Sequence, residues 1–281
     1  MKLNNKSILV RDESCIKCGK CTKVCPAGVL IQRQKGEIIH VENIDTCIAC
    51  GHCVDVCPTA SVVHSDFPPE KLHPIDYSLL PSPEQVMALI KTRRSNRAIT
   101  SRPIPQEALD RIVEAARFAP TASNKRNVSF TVITDPEKLR QVSDFTINKF
   151  DSGARILMNP IVKVFLKPFL KDTYDTLPAF YRFKQEHKAG NDPILRKATA
   201  LLIIHTPESS EFGSENANLA YQNASLMAHS LGVSQIYMGF VVRAIRKCGK
   251  RTFSQITGVE GKVQAIMALG IPAFKYPRYI E

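Results

Sequence analysis

The chain has 281 residues, 44% of them hydrophobic, and a formal net charge of +12. It is too long for one small module and too apolar to be disordered, so a domain with a core of its own is expected. The charge alone would suit nucleic acid, but the basic residues are scattered with no aromatic platform among them, which argues against a nucleic-acid partner.

The opening, MKLNNKSILVRDESC, has no apolar stretch of signal-peptide type and runs straight into the first of two cysteine motifs. No apolar run reaches the length of a membrane span, and a cytoplasmic, reducing compartment is expected for so many thiols. Cys15, Cys18, Cys21 and Cys25 precede Pro26; Cys47, Cys50, Cys53 and Cys57 precede Pro58. Both copies read C-x2-C-x2-C-x3-C-P. The segments CIKCGKCTKVCPAGVL and CIACGHCVDVCPTASV repeat at an offset of 32 residues, Cys15 to Cys47. This is the spacing of bacterial ferredoxins, in which the fourth cysteine ligates the other cluster. Two [4Fe–4S] clusters are therefore predicted, one on Cys15, Cys18, Cys21 and Cys57, the other on Cys47, Cys50, Cys53 and Cys25. A disulfide framework fits neither the regularity nor the compartment, and zinc has little use for a fourth thiolate ahead of a proline. Gly19 and Gly51 stand at equivalent places, where tight turns aim backbone N–H groups at sulfur. Cys248, the ninth cysteine, reads as a structural or surface thiol.

The cluster module is assigned to residues 1–65, with a short strand over Glu37–Val41 between its halves. Residues 66–82 hold Pro68, Pro69, Pro74 and Pro81 and read as a semi-rigid linker. A second domain, 83–281, opens with a helix capped by Ser82 with Pro83 at its first position, carrying a Val86, Leu89, Ile90 stripe. A second helix is expected over about Pro105–Ala119, with Leu109, Ile112, Val113 and Ala116 inward. Strands follow at Val128–Thr134, Ala200–His205, Ser234–Met238 and Val263–Leu269. A helix begins at Asp135-Pro136, and a long one covers about Ser214–Leu231 and stops at Gly232. Between Lys149 and Pro193 the pattern is irregular; its greasy run ILMNPIVKVFLKPFL, broken by Pro160 and Pro168, reads as a cap or subunit contact in preference to a membrane-surface segment. The mixture without a βαβ rhythm points to an α+β domain.

Arg93, Arg94, Ser95, Asn96 and Arg97 close the first helix of this domain; two guanidinium forks beside a hydroxyl suit a phosphate clamp, and a solvated helix end with favourable C-terminal charge fits the segment equally well. No P-loop and no G-x-G-x-x-G is present, so a phosphate cofactor has to be held by arginines. This segment resembles the RRSxR opening of the nitroreductase family of FMN enzymes. Ala119-Pro120-Thr121-Ala122-Ser123-Asn124 is similar to that family's APSAxN stretch. Leu231-Gly232-Val233 with Gly239 resembles its helix–strand segment, and Ala268-Leu269-Gly270-Ile271-Pro272 with Lys275 and Arg278 its closing strand and basic tail. The four segments occur in family order, so the whole chain resembles a 2[4Fe–4S] ferredoxin-like domain fused to a nitroreductase-like, FMN-binding α+β domain.

The resemblance implies a homodimer with FMN at the subunit interface. It implies that Arg93, Ser95 and Arg97 grip the FMN phosphate with Lys275 or Arg278 closing on it, and that Arg94 is a neighbouring phosphate or ribityl contact. Pro120, Thr121 and Asn124 reach the flavin from the other subunit, and Met238 and Gly239 lie by its ring. One departure stands out: Lys125, Arg126, Asn127 and Val128 replace the family's QPW-like element, which bears on the substrate side. The expected function is an oxidoreductase in which the clusters relay electrons to FMN for reduction of a small electron-poor acceptor of nitroaromatic, quinone or enone type. No side-chain nucleophile is required, since the chemistry lies at flavin N5. His205 and His229 are expected in the core. A ferredoxin or flavodoxin is the expected donor, with NAD(P)H as an alternative; Arg243, Arg246, Lys247, Lys250 and Arg251 could dock an acidic carrier, but a solvated helix face is the preferred reading of them. The competing reading is a non-enzymatic electron-transfer or redox-sensing protein.

Overall fold

A computed structural model of the chain describes residues 6–246 and 249–280. Lys247 and Cys248 lie outside the described residues. The chain divides into two compact units, Met1–Leu80 with Ser123–Lys125, and Pro81–Ala122 with Arg126–Glu281.

The first unit is built from very short elements. β1 (Ile8–Val10) and β4 (Val62–His64) pair antiparallel and bring the ends of the double motif together; β2 (Leu30–Ile31) pairs with β3 (His40–Val41). Each motif carries one four-residue helix, α1 (Lys20–Lys23) and α2 (His52–Asp55). The glycine before each helix is left-handed, Gly19 at φ 69° and Gly51 at φ 82°, a conformation that favours glycine. The strand expected from Glu37 is confined to His40–Val41: the Glu37 N–H closes a turn onto the Gln34 carbonyl, and β2 offers only two residues to pair with. The core is small, holding Leu30, Ile39, Val54 and Val62 together with Cys21 and Cys53. The proline-rich segment carries two 3-10 turns, Pro69–Lys71 and Tyr77–Leu79, and counts with this unit as far as Leu80.

The second unit is an antiparallel sheet in the order β5-β6-β8-β7, formed by β5 (Ser129–Ile133), β6 (Ala200–Thr206), β7 (Ser234–Tyr237) and β8 (Lys262–Gly270). Helices cover both faces. α4 (Gln106–Arg117) and α8 (Gly213–Ser230) pack on one. α5 (Pro136–Met158), α9 (Gly239–Arg246) and α10 (Lys250–Thr257) pack on the other. The inner strands are therefore apolar on both sides, which is why β6 and β8 read as continuous hydrophobic runs. Ala200, Leu202 and Ile204 face α4 and α8, whereas Leu201 and Ile203 face the opposite core. Ala217, Ala220, Ala224 and Ala228 line the buried side of α8 and let α4, through Leu109, Ile112 and Ala116, approach closely. An antiparallel sheet with flanking helices is the α+β class expected.

Two expectations need correction. Residues 149–193 are not irregular. α5 runs through to Met158, and α6 (Pro160–Leu166) and α7 (Lys171–Lys188) follow. Pro160 sits at the first position of α6, where its missing N–H costs nothing, and the Asn159 side chain caps the Ile161 and Val162 N–H groups. The other correction concerns α3 (Pro83–Thr92). Ser82 caps it as the sequence suggests, Gln85 completing a capping box, but no residue of the helix is buried: Val86 is 40% and Ile90 46% exposed.

Leu202, fully buried on an inner strand, leaves a cavity when truncated. Leu202→Ala is expected to cost about 2–5 kcal/mol, read as a lower denaturation midpoint for the second unit.

Candidate functional site

The structure gathers the eight cysteines of the motifs, all free thiols, around two cavities. Cys15, Cys18, Cys21 and Cys57 line one; Cys25, Cys47, Cys50 and Cys53 line the other. Each group is three cysteines of one motif with the fourth of the other. Among the described residues no group of three or more His, Cys, Asp or Glu closes on a single metal ion; the sulfurs form cavity walls. Backbone N–H groups aim at them: Val29 to Cys25 Sγ at 3.3 Å, Ala49 to Cys47 Sγ at 3.4 Å and Ser61 to Cys57 Sγ at 3.2 Å.

Electrostatics divides the thiols in the same way. Burial pushes Cys53 up to about 11, reinforced by Cys50, Cys25 and Cys47 of its own cavity. Burial also raises Cys21, its own backbone hydrogen bond opposing and Cys57 and Cys15 adding. At Cys57 burial pulls upward too, but hydrogen bonds from the Val62, Thr59 and Ser61 backbone and the Thr59 hydroxyl outweigh it and the net shift is downward. Four crowded, partly desolvated thiols repel one another as thiolates, so the donor set fits a polynuclear cationic core.

In the second unit a cavity of roughly 280 Å³ is lined by Arg94, Asn96, His229, Ser234, Gln235 and Lys275, among others. The segment after α3 forms one wall. The Asn96 side chain donates to the Phe274 carbonyl at 2.7 Å, the Ala273 N–H to the Ala98 carbonyl at 2.9 Å, and the Thr100 N–H to the Ile271 carbonyl at 2.8 Å. Asn96, 7% exposed, thus ties the arginine segment to the C-terminal strap; the Ser234 hydroxyl donates to its carbonyl from β7. The Gln235 side chain accepts from the Tyr221 hydroxyl at 2.8 Å, while its buried Nε2 has no hydrogen-bond partner. A buried orphan donor on a residue lining a cavity with an arginine and a lysine suits an acceptor-rich, anionic ligand.

Of the residues proposed for the flavin, Arg94 and Lys275 line this cavity. Arg94 also donates to the Ile280 carbonyl at 3.2 Å. Arg93 lies close enough to Tyr221 and His229 to act on both electrostatically. Ser95, Arg97, Pro120, Thr121, Met238, Gly239 and Arg278 do not line it. The Ser95 carbonyl accepts from Arg97 at 3.5 Å, Thr121 Oγ1 accepts the Arg126 N–H at 3.0 Å, and Met238 is buried at the end of β7. Asn124, counted with the first unit, donates its side-chain amide to the Ile48 and Ala49 carbonyls at 3.3 and 2.6 Å.

Neither histidine is a plain core residue. His205 is half-buried on β6, 3.2 Å from the Thr131 hydroxyl. His229 is half-buried at the cavity, 2.9 Å from the Thr92 hydroxyl. Sequence reading named Asn96 without a role, placed His229 in the core, and gave Ser234 and Gln235 no part in a site. Asn96 occupies the variable position of its motif, and nothing local marks the others: the fold alone brings them to one cavity.

The nitroreductase family model matches residues 90–271, and a 4Fe-4S dicluster domain matches residues 14–62. The chain belongs to the nitroreductase family of oxidoreductases, with the 4Fe-4S domain ahead of the family region. The FMN reductase [NAD(P)H] of Bacillus subtilis is 26% identical over 159 residues, 56% of this chain and 55% of its own length. Iodotyrosine deiodinase 1 of Rattus norvegicus is 30% identical over 110 residues, 37% of this chain and 38% of its own. The chain thus spans about half the length of these relatives or less. Among solved structures, a nitroreductase with bound FMN from Bacteroides fragilis aligns with TM-score 0.51 and 20% identity, covering 70% of this chain and 95% of that one. A nitroreductase with bound FMN from Desulfitobacterium hafniense aligns with TM-score 0.53 and 16% identity, covering 69% and 93%. At these identities the likeness is one of fold.

His205 and His229 both titrate below the ordinary 6.5, chiefly because they are buried; hydrogen bonding to the Glu260 backbone opposes the shift at His205, and Arg93 adds to it at His229. Folding therefore favours the neutral rings. That stability is complete above 6.5 and is lost as pH falls through the lower folded values. The second unit's denaturation midpoint is expected to drop from about pH 7 to about pH 5, and less steeply in a His205→Gln, His229→Gln double variant; equal slopes would contradict this reading.

Proposed function

We propose that this protein is an FMN-dependent oxidoreductase in which two [4Fe–4S] clusters relay electrons to the flavin for reduction of a small electron-poor acceptor of nitroaromatic, quinone or enone type. The observation that carries the reading is the pairing of two four-cysteine cavities with a cationic, orphan-donor cavity in a nitroreductase-family domain.

Cys15, Cys18, Cys21 and Cys57 hold one cluster, and Cys25, Cys47, Cys50 and Cys53 the other. Arg94 and Lys275 bind the phosphate of FMN, with Arg93, Ser95, Arg97 and Arg278 supporting from the same two segments. Gln235 supplies the free donor. Met238 and Gly239 approach the ring, and Pro120, Thr121 and Asn124 complete the site in a homodimer. When bound, the clusters supply one-electron steps and the flavin couples them to two-electron reduction. The dimer is supported by α3, whose exposed Val86, Met87 and Ile90 lack cover within one chain.

A one-electron carrier such as a ferredoxin or flavodoxin suits the cluster module as donor better than NAD(P)H, which can deliver hydride to a flavin without clusters. Arg246 and Arg251 are exposed and available to an acidic carrier, Arg243 is half-buried, and Lys250 is paired with Glu208. The exposure of this face is the support for docking there. Among the described residues no helix is long and apolar enough to cross a membrane.

Iron, sulfide and flavin analysis after anaerobic purification is expected to give about eight iron atoms and about one FMN per chain. About eight iron atoms without flavin, even after FMN is added, would leave an electron carrier or sensor instead. In fluorescence titrations, Arg94→Met and Lys275→Met are each expected to weaken FMN binding roughly 10- to 100-fold, the loss of one charge-assisted hydrogen bond. Unchanged affinity in both would place the phosphate elsewhere.

A further inference from the structure

His64, 1% exposed at the end of β4, is the one buried imidazole beside a cysteine cavity among the described residues. Its Nδ1 accepts the Asp66 N–H at 3.0 Å. A ring nitrogen that accepts carries no proton, so in the neutral ring the proton sits on Nε2. That Nε2 lies 3.6 Å from Cys47 Sγ. Phe67 packs edge-on against the ring at 5.0 Å and holds its orientation.

The internal repeat provides a built-in comparison. The offset of 32 residues relates Cys47 to Cys15 and His64 to Gln32. Gln32 does not reach sulfur: its amide donates to the Lys17 and Glu37 carbonyls at 2.9 and 2.8 Å. The Cys25–Cys47–Cys50–Cys53 set accepts from Val29 N–H, Ala49 N–H and His64 Nε2. The Cys15–Cys18–Cys21–Cys57 set accepts from Ser61 N–H, with the Val62 and Thr59 backbone also acting on Cys57 and the Thr59 hydroxyl 3.8 Å from its Sγ; its donors are backbone groups and a hydroxyl. Thr59 is a weak competitor, because its contact with sulfur is long at 3.8 Å and exposed to water. One cavity thus has a buried side-chain N–H donor that its pseudo-symmetric mate lacks.

We propose that His64 is a positioning residue that raises the reduction potential of the cluster held by Cys25, Cys47, Cys50 and Cys53 above that of the other cluster. The inference rests on the two-cluster reading. Reduction adds negative charge, part of it on the sulfurs, and a donor aimed at sulfur stabilises the reduced state. A shielded donor does so more effectively than one in competition with water.

The test is a potentiometric titration of the anaerobically purified full chain with EPR detection of the reduced clusters. His64→Asn keeps an acceptor for the Asp66 N–H but removes the donor to sulfur; His64→Gln keeps an amide N–H near the Nε2 position. The native protein is expected to show two reduction waves. His64→Asn is expected to shift the more positive wave to lower potential and leave the other in place, while His64→Gln stays near the native value. Native protein carrying 15N in its histidine rings is expected to show a weak nitrogen coupling to a reduced cluster in pulsed EPR, lost in His64→Asn, and this measurement decides should that variant lose iron. The inference is overturned by unmoved waves in an iron-replete His64→Asn protein, by both waves moving together, or by absence of the ring-nitrogen coupling in native protein. Native protein without about eight iron atoms instead removes the two-cluster reading beneath it, a failure the iron analysis separates from the others.

Discussion

Three cysteines spaced by two residues can wrap one wall of a cavity, but a fourth placed behind a further turn and ahead of a proline is carried away from it. In the first unit it is carried to the neighbouring cavity: Cys57 completes the set begun by Cys15, and Cys25 the set begun by Cys47. Neither half is complete without the other. This reciprocity lets so little regular structure suffice. Strands of two or three residues and helices of four bury too little apolar surface to be stable by themselves. The few buried residues include Cys21 and Cys53, so two of the cavity-lining thiols are part of the core. Desolvation there disfavours the thiolate, as the rise of Cys53 to about 11 shows, until a cation accepts its charge. Packing and thiol chemistry are one interaction in this unit: the groups that help fill its small core are ones whose charged form burial disfavours.

The second unit rests on a different balance. Its sheet is buried on both faces and its two cores hold Leu, Ile, Val, Phe and Ala, so packing alone can define it. Polar groups inside it are therefore informative where packing does not explain them. Gln235 is 1% exposed and its carbonyl oxygen is satisfied by Tyr221, yet its amide nitrogen is not. A core that leaves one strong donor unpaired, on a residue lining a cavity with Arg94 and Lys275, carries a cost that a ligand with acceptor oxygens or ring nitrogens removes.

What was legible beforehand followed from how local the signal is. The cysteine motifs, the Ser82 cap, the Asp135 cap and the left-handed Gly232 each act over a few residues, and each is found in its place. Continuous apolar runs located β6 and β8 because both faces of those strands are buried. Residues 149–193 misled because a proline at a helix start looks in sequence like one that breaks a helix; Pro160 is the former, and only the cap from Asn159 tells them apart. The α3 stripe has helical periodicity but no cover within the chain, and periodicity reports an apolar face without naming what faces it. The cavity residues His229, Ser234 and Gln235 come together through the pairing of β7 with β8 and the strap at 271–274, which no short window of sequence contains.

The repeat in the first unit raises one last point about symmetry. Duplicated motifs reproduce backbone geometry closely: Lys17 and Ala49, Gly19 and Gly51, and Gly28 and Ala60 are left-handed pairs at the same offset, and Cys25 and Cys57 each accept an N–H from four residues on. Two sites so alike differ only in what packs against them. The backbone, constrained by the shared fold, is the hardest place to introduce a difference. Side chains packed against the cysteines are the easiest. Where the first half keeps Gln32 bonded to carbonyls, the second has His64 beside Cys47. A single residue can thus separate the two sites while every turn that builds them stays the same.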